Sequence, residues 1–260
     1  MPFATVLPSA VSAEDAPVLP RGLIFLSSLW LVGSWLAAIG VSPPVQPSSA
    51  SYTPGVRLLL DCIVVGLIFG WPLLRLSQAR CSWSIQRAAL DVVVIAALVQ
   101  IVVWPLRLVT PWSVTRMLAI DGVLVGWTAL LGALLAVGGA LPPRGRTLTM
   151  VACAALGFAG PLAGMMAGWL GANELLVTRL GLLSPFSMLR HLTGAGPGAI
   201  DRDDLILAGT GAAAAAVAWV AVFAAHLLAI RPDAAHRPPP RGKPGAGLAG
   251  SEPLSSSPHA

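Results

Sequence analysis

Six apolar stretches, each about as long as a bilayer is thick, dominate the sequence. They cover residues 22–40, 58–76, 88–105, 117–139, 148–170 and 205–230. A helix needs about 20 mainly apolar residues to cross the hydrocarbon core of a membrane. The stretches are continuous rather than alternating, and in lipid the backbone must satisfy its own hydrogen bonds, so helices are favoured over strands. The sequence therefore predicts an all-α, polytopic membrane protein built on a bundle of six transmembrane helices.

The charged residues are few and lie where membrane helices end. They make up 10% of the 260 residues, whereas soluble domains carry about 25%. The net charge of +5 is spread over the ends of the apolar stretches and forms no basic patch with interleaved aromatic residues. We therefore expect the lipid bilayer as a partner and no nucleic acid.

The two ends of the chain differ from the six-helix domain, which is predicted at residues 22–230. Residues 1–21 contain Pro and no helical periodicity, and residues 231–260 are rich in Pro, Gly and Ser, so both segments are predicted to be disordered. The basic start of the tail could rest on anionic lipid, but a solvated tail is favoured. The first apolar stretch is predicted to be a retained span rather than a signal peptide, because it is long and no positive segment precedes it.

The distribution of Arg and Lys between alternate loops predicts the orientation of the helices. With the N-terminus in the cytoplasm, ten lie inside: Arg21, Arg75, Arg80, Arg87, Arg144, Arg146, Arg231, Arg237, Arg241 and Lys243. Six lie outside: Arg57, Arg107, Arg116, Arg179, Arg190 and Arg202. Without the tail the two sides are equal, so the tail decides. The Ala, Gly and Pro richness and the single Lys are typical of a high-GC bacterial genome. We therefore predict the inner (cytoplasmic) membrane, with both termini in the cytoplasm.

Three acids, Asp61, Asp91 and Asp121, are set in apolar sequence about thirty residues apart. Each is predicted within about one turn of a helix start, where the helix dipole stabilises a carboxylate by about 0.3–1 kcal/mol. Arg57 and Arg87 precede two of them by four residues and therefore share their helix face. The alternative is an ion or proton pathway. Because successive helices run in opposite directions, Asp61 and Asp121 lie toward the outer side and Asp91 toward the inner. This arrangement favours a structural role.

Glycines recur every four residues in three of the stretches and predict close helix packing. The fifth stretch carries Gly160, Gly164 and Gly168 on one helical face. A face without side chains lets another helix approach closely. Packing within the chain is favoured over a homo- or heterodimer interface, because such spacing is common in all membrane bundles. The same spacing occurs at Gly66 and Gly70 and at Gly122 and Gly126.

The long connection between the fifth and sixth stretches reads "GANELLVTRLGLLSPFSMLRHLTGAGPGAIDRDD". Its leucines predict one or two short amphipathic helices at the membrane surface, which Ser184 and Pro185 interrupt. The segment "SMLRHLTG" is predicted to form a further turn or two of helix. Asp203 or Asp204 is predicted to cap the last transmembrane helix.

This organisation resembles the permease subunits of ABC-2-type exporters. The segment "LLSPFSMLRHLTG", with Ser184, Pro185 and Phe186, is similar to the Ser/Asn-Pro-hydrophobic segment that many such permeases carry before the last span. The resemblance implies an interfacial or re-entrant outer segment at this place. It also implies that a separate ATPase docks on the inner loop between the second and third spans. Here that loop reads "RLSQARCSWSIQR" and contains Arg75, Arg80 and Arg87.

Three classes of function are compatible with such a chain. A transport subunit would need a separate ATPase, because the sequence contains no GxxxxGK[ST] segment. A membrane enzyme is not favoured, because the sequence contains no HExxH segment. The one catalytic alternative left is that Asp61 and Asp121 lie at the same depth in the membrane and act together. We predict no catalytic residue, cofactor or metal site, and none of the three cysteines lies in a CxxC. The third class is a non-catalytic assembly or scaffold protein of the membrane.

Overall fold

The computed structural model describes residues 20–40, 48–77, 85–194 and 200–230, and every regular element in these ranges is helical. The terminal segments predicted to be disordered, residues 1–21 and 231–260, lie outside the described ranges except for Pro20 and Arg21. Residues up to Phe223 form one compact unit. Of the second unit, Ala224–Ala260, the structure describes only the last turns of the final helix.

Nine α-helices account for most of the described residues. They are α1 (Arg21–Trp35), α2 (Ser49–Val65), α3 (Trp71–Ser77), α4 (Ile85–Val103), α5 (Val114–Ala140), α6 (Pro143–Trp169), α7 (Glu174–Gly181), α8 (Pro185–Gly194) and α9 (Arg202–Ile230). One π-helical turn, Leu36–Gly40, extends α1, another, Gly66–Gly70, joins α2 to α3, and a 3₁₀ turn, Trp104–Leu108, follows α4. Among the described residues, six continuous helical segments are long and apolar enough to cross a membrane. The prediction of six spans with short helices before the last is therefore confirmed.

Capping residues make two of the spans begin earlier than the apolar stretches do. Ser48 and Ser51 form a capping box, so α2 begins at Ser49, nine residues before the predicted start. The Ser113 side chain accepts a hydrogen bond from the Arg116 N–H at 3.2 Å and starts α5. Polar first turns therefore extend both helices beyond their apolar lengths.

The predicted cap of the last span is wrong by two or three residues. The helix α9 begins at Arg202, so Asp203 and Asp204 lie inside its first turn rather than before it. Both acids are still near the positive end of the helix dipole, which stabilises a carboxylate there. Their side chains are directed to other elements, as described below.

The contacts of α1 with α2 show that these two spans are antiparallel, because Gly55 lies against Ala38 and Gly66 lies against Trp30. The Trp30 indole N–H donates to the Cys62 carbonyl at 3.0 Å, so the later part of α1 lies beside the middle of α2. Trp219 of α9 donates to the Ala129 carbonyl of α5 at 2.9 Å, and Ala212 lies against Gly126, so the sixth and fourth spans are parallel. We name the two ends of the bundle after residues that lie there: the Arg21 end, where α1, α4 and α6 begin, and the Arg190 end, where they finish.

The helix α5 lies at the centre of the packing. In its most apolar 18-residue window 61% of the residues are buried, against 17% in α1 and in the last span. Its fully buried side chains pack with those of α2 and α8; the set includes Leu59, Leu60, Ile63, Ile120, Leu124, Leu131, Leu189 and Leu192. The exposed faces of α1 and α9 are apolar, as lipid contact requires.

Two of the predicted glycine contacts between spans are present and two are not. A Cβ on Gly126 would lie 2.8 Å from the Ala212 backbone nitrogen of α9, and one on Gly66 would lie 2.5 Å from Trp30 Nε1. These positions therefore require glycine for close packing. Gly70 and Gly122 have open space where a side chain would be, so they contribute no close contact.

Candidate functional site

The helix α7 runs back along the glycine face of α6. A Cβ on Gly160 would lie 2.6 Å from the Ser184 backbone nitrogen, and one on Gly164 would lie 3.0 Å from the Val177 carbonyl oxygen. At Gly168 the distance to Val177 Cγ1 relaxes to 4.0 Å. Later residues of α6 lie beside earlier residues of the segment that follows it, so α6 and α7 are antiparallel. The predicted close packing on this face is confirmed, but its partner is a short helix rather than a span.

Ser184 follows α7 and supplies a hydrogen bond that α6 lacks. In a regular helix the Gly157 carbonyl accepts from the N–H of residue 161, but that residue is Pro161, which has none. The fully buried Ser184 hydroxyl donates to the Gly157 carbonyl at 2.6 Å instead. In hydrocarbon an unsatisfied backbone group is costly, and side chains of neighbouring elements commonly satisfy it.

The position of Gly157 gives the depth that this segment reaches. It lies twelve residues before Trp169, the last residue of α6, which corresponds to about 18 Å along the helix. Ser184 is therefore level with the middle of a 27-residue span. We call α7, residues 182–184 and α8 together the hairpin, since the chain enters from the Arg190 end, turns at mid-span and returns.

The returning helix α8 packs on α2 and α5 through its apolar face. Met188, Leu189 and Leu192 are buried there. Pro185 is its first residue, where a missing N–H has no cost. The ring of Phe186 stacks on that of Phe158 in α6, with centroids 5.9 Å apart. The three residues singled out in the sequence, Ser184, Pro185 and Phe186, thus form the turn of the hairpin at mid-span.

Two side chains of α2 hold the end of α8 at the Arg190 end. Arg57 Nη2 donates to the Thr193 carbonyl at 2.7 Å, where the last carbonyls of a helix are free and carry partial negative charge. Asp61 pairs with Arg190 at 3.0 Å. The expected pair of Arg57 and Asp61 within α2 is therefore replaced by two contacts to the hairpin, which lies beside that face.

The first turn of α9 holds both limbs of the hairpin. His191 Nε2 lies 3.0 Å from Asp204 Oδ1, and Arg179 Nη2 lies 2.7 Å from Asp203 Oδ2. Both members of the second pair are exposed. Together with the contacts to α2, these pairs define the rim of the hairpin: Arg57, Asp61, Arg179, Arg190, His191, Thr193, Asp203 and Asp204.

The three acids in the spans all accept hydrogen bonds from another helix. Arg75 of α3 pairs with Asp91 of α4, and the Gln100 amide of α4 donates to Asp121 of α5. Asp61 is held by α8, as described above. Arg87 was expected to pair with Asp91, but Arg75 takes that place because α3 ends beside the start of α4. Interhelical partners give each acid a structural reason to be where it is.

The acids lie farther from the starts of their helices than expected. Asp61, Asp91 and Asp121 follow the first residues of their helices by twelve, six and seven positions, which is about 18, 9 and 11 Å. The expectation of one turn is therefore wrong, because capping and polar first turns start the helices early. Asp61 and Asp121 lie in helices that begin at the Arg190 end, whereas Asp91 lies in a helix that begins at the Arg21 end and runs in the opposite direction.

The predicted ATPase-docking residues differ in their surroundings. Arg75 is engaged with Asp91, and 15% of its side chain is exposed. Arg87 is exposed in the first turn of α4, at the Arg21 end. Arg80 lies outside the described residues. Docking at this loop stays a prediction, in which Arg87 is the accessible described member.

Sequence reasoning missed the link between Pro161 and Ser184 and the anchoring roles of Arg190 and His191. The first had a usable signal, because a proline inside a span leaves a carbonyl four residues earlier without its donor. Another donor must then satisfy this carbonyl, and a hydroxyl from elsewhere in the chain is one candidate. The anchoring pairs had no such signal, since ionic partners from different helices are set by the packing.

The fold defines the class of this chain: a polytopic membrane protein with six long apolar helices and a helical hairpin before the last of them. No protein-family model, curated protein or solved structure matches it. Within the described part of the chain, no three His, Cys, Asp or Glu side chains are grouped so that they could hold a metal ion.

Proposed function

We propose that this chain is the permease-like membrane subunit of an ABC-2-type exporter and works with a separate ATPase chain. The observation that carries the proposal is the hairpin, which enters from the Arg190 end between the fifth and sixth spans and turns at mid-span on Ser184. In the resemblance described above, a re-entrant outer segment has this same place in the chain.

The proposal assigns opposite tasks to the two ends of the bundle. The Arg21 end faces the cytoplasm of a bacterial cell, and the loop that contains Arg80 and Arg87 receives the ATPase. The Arg190 end faces outward and carries the hairpin. Substrate passes along a cleft between two such subunits, and the hairpin limits the cleft at its outer side.

The contacts of the hairpin suit an element that moves at one end only. Its tip is held by a buried hydrogen bond and by glycine packing, whereas its rim is held by ion pairs such as Arg179 with Asp203, which are exposed. Exposed pairs contribute about 0–1 kcal/mol each. The rim can therefore open while the tip stays docked, so that the hairpin widens the outer side of the cleft.

The ATPase partner is the part of the proposal that is tested most directly. The full chain, tagged and cross-linked in native membranes, is purified in mild detergent, and its partners are identified by mass spectrometry. We expect a chain that contains GxxxxGK[ST] and hydrolyses ATP in the complex. The double variant Arg80→Glu with Arg87→Glu is expected to lose this chain, while Arg107→Glu, exposed at the opposite end, keeps it.

Two results would count against the proposal. Recovery of no ATP-hydrolysing chain, although the tagged protein is intact and cross-linked to neighbours, favours the membrane assembly or scaffold class. Equal loss of the ATPase in the Arg107→Glu control places the contact elsewhere and contradicts the assignment of the ends.

A further inference from the structure

The three acids in the spans differ in the charge of their hydrogen-bond partners. Asp61 and Asp91 each form an ion pair with an arginine of another helix. Asp121 instead accepts a hydrogen bond from the neutral Gln100 amide, and no Lys, Arg or His of the described ranges pairs with it. A negative charge on Asp121 would therefore have no cation to balance it among the described residues.

The direction of the hydrogen bonds at Asp121 is fixed by an indole. The Trp104 ring N–H can only donate, so the side-chain oxygen of Gln100 must accept from it. The Gln100 amide N–H then faces Asp121 and donates to Oδ1. Such a donor satisfies an oxygen of either the charged or the uncharged carboxyl, whereas a neighbouring arginine favours the charged form. The other oxygen, Oδ2, accepts no hydrogen bond from a described residue and can hold a proton.

The charged groups of the elements around α5 do not balance Asp121. Arg107, in the 3₁₀ turn that packs on α5, and Arg202, at the start of α9, are exposed. Arg116 of α5 is fully buried and leaves the helix about 140° away from Asp121. At the Arg190 end the charged side chains of α2, α8 and α9 bind partners other than Asp121: Arg57, Asp61, Arg190, His191, Asp203 and Asp204. The charged residues of α3, α4 and α6 lie toward the Arg21 end: Arg75, Arg87, Asp91, Arg144 and Arg146.

The face of α5 that carries Asp121 is open to lipid. Val114 and Leu118 precede Asp121 on this face, by seven and three positions, and both are exposed. Gly122, the next residue, has nothing within 4 Å of a built Cβ, and Asp121 is itself partly exposed. Trp104 is exposed at the end of the third span, where indoles lie near the headgroups. Lipid-soluble reagents, and protons from the nearby surface, therefore reach the carboxyl.

An acid on such a face is costly in its charged form. A charge that leaves water without a partner is expensive, and the group takes up a proton instead. We propose that Asp121 is a proton-binding site, in which Oδ2 holds the proton while Oδ1 accepts from Gln100. The proposal does not depend on the transport role, because neither the hairpin nor the loop at Arg80 contributes to this site.

The protonated carboxyl is also a modification site for a lipid-soluble carbodiimide. The carboxyl of Asp121 adds across one C=N bond of the reagent, so that its oxygen bonds to the central carbon and its proton passes to the nitrogen. The adduct then rearranges to a stable N-acylurea without losing an atom. The carboxylates of Asp61 and Asp91 have no proton to supply to this reaction.

Modification of the full chain in lipid nanodiscs by dicyclohexylcarbodiimide tests the proposal. The adducts are quantified by peptide mass spectrometry over a range of pH. We expect at least about tenfold more adduct at Asp121 than at Asp61 or Asp91, because a cation within about 4–6 Å favours the carboxylate by that factor or more. The adduct at Asp121 is expected to decrease as the pH rises, and Asp121→Asn is expected to lose it.

Two substitutions of the neutral partner separate charge from access. Gln100→Arg places a cation beside Asp121, as the other two acids have, and we expect the adduct at Asp121 to fall about tenfold. Gln100→Met, which is similar in length but carries no charge, is expected to keep the adduct. Asp91, whose ion pair with Arg75 is unchanged in both variants, serves as the internal reference.

Three outcomes would overturn the proposal. Equal adducts at the three acids, or none at Asp121, mean that Asp121 is charged as the other two are. An adduct at Asp121 that persists undiminished in folded Gln100→Arg means that the reagent reports access rather than protonation. Should Gln100→Arg fail to fold, the wild type decides, since an adduct at Asp121 that does not decrease with rising pH contradicts a bound proton.

Discussion

The tip and the rim of the hairpin are both tied to the bundle, but by interactions of different kinds. At the tip, Gly160 brings two backbones together and Ser184 makes one buried hydrogen bond to Gly157. At the rim, charged side chains such as Arg190 and Arg179 reach across from one helix to another. The tip uses short contacts without charge, and the rim uses long side chains that water and ions reach.

The tip and the rim therefore differ in how much stability is lost when one contact is broken. Burial at the tip excludes water, so an unmade hydrogen bond there is not replaced and its loss is expensive. At the rim, water replaces a broken ion pair at little cost. We therefore expect substitutions to matter more the closer they lie to the tip.

The largest effect is expected from Gly160→Ala. The added Cβ would lie 2.6 Å from the Ser184 nitrogen and 2.7 Å from the Gly181 carbonyl oxygen, and backbone atoms cannot move aside singly. We expect the free energy of unfolding in mixed micelles to fall by about 2–3 kcal/mol. On the same face, Gly168→Ala has room and serves as the control, with no loss or a gain of up to about 1 kcal/mol from helix propensity. Equal effects at both positions would contradict the close contact at the tip.

Ser184→Ala is expected to have the next largest effect. It leaves the Gly157 carbonyl without its donor in a buried place, which costs about 1–3 kcal/mol of unfolding free energy. Pro161→Ala restores a backbone N–H to α6, so the double variant is expected to recover most of this loss. Ser187→Ala, in the neighbouring α8 and half-buried, is the control for removal of a hydroxyl. Additive effects of the two substitutions would disprove the link.

Arg190→Gln is expected to cost about 1 kcal/mol of unfolding free energy, because Asp61 is only partly exposed and loses its cation. The same measurement on Arg202→Gln, which removes a charge of α9 without breaking an ion pair among the described residues, is expected to show no change. If Arg190→Gln destabilised the protein more than Ser184→Ala did, this result would contradict the expectation that contacts at the tip contribute more stability than contacts at the rim.

The smallest effect is expected from Arg179→Gln, at most about 0.5 kcal/mol of unfolding free energy. Its partner Asp203 is exposed, so salt screens the pair. The difference from wild type is expected to vanish between low salt and 1 M salt, where the Debye length falls to about 3 Å. A salt-independent loss would show that Arg179 acts through packing.

The spans and the glycine face were within reach of the sequence, because both depend on local patterns. Apolar length gave six helices, and the spacing of Gly160, Gly164 and Gly168 gave a surface for close approach. The partner of that surface was not predictable, since the residues of α7 are also compatible with a helix lying on the membrane. The position of this segment is decided by the backbone N–H that Pro161 lacks, because the donor that replaces it comes from another element of the chain.

The partners of the acids were predicted from neighbours in sequence and came instead from neighbours in space. Arg57 and Asp61 share one face of α2, but that face meets α8, which offers a free carbonyl and a guanidinium. In the same way Arg75 takes Asp91 because α3 and α4 meet at the Arg21 end. The spacing of residues along one helix shows only which ion pairs are possible, and the packing of the helices determines which of them form.

The bond between Ser184 and Gly157 has a consequence for how the protein is made. The donor follows the acceptor by 27 residues, so the middle of α6 emerges from the ribosome while Ser184 is still inside it. During that interval the fifth span has an open backbone position at its middle. Retention of this segment by the insertion machinery, until α7 and the serine arrive, would couple the integration of the fifth span to that of the hairpin.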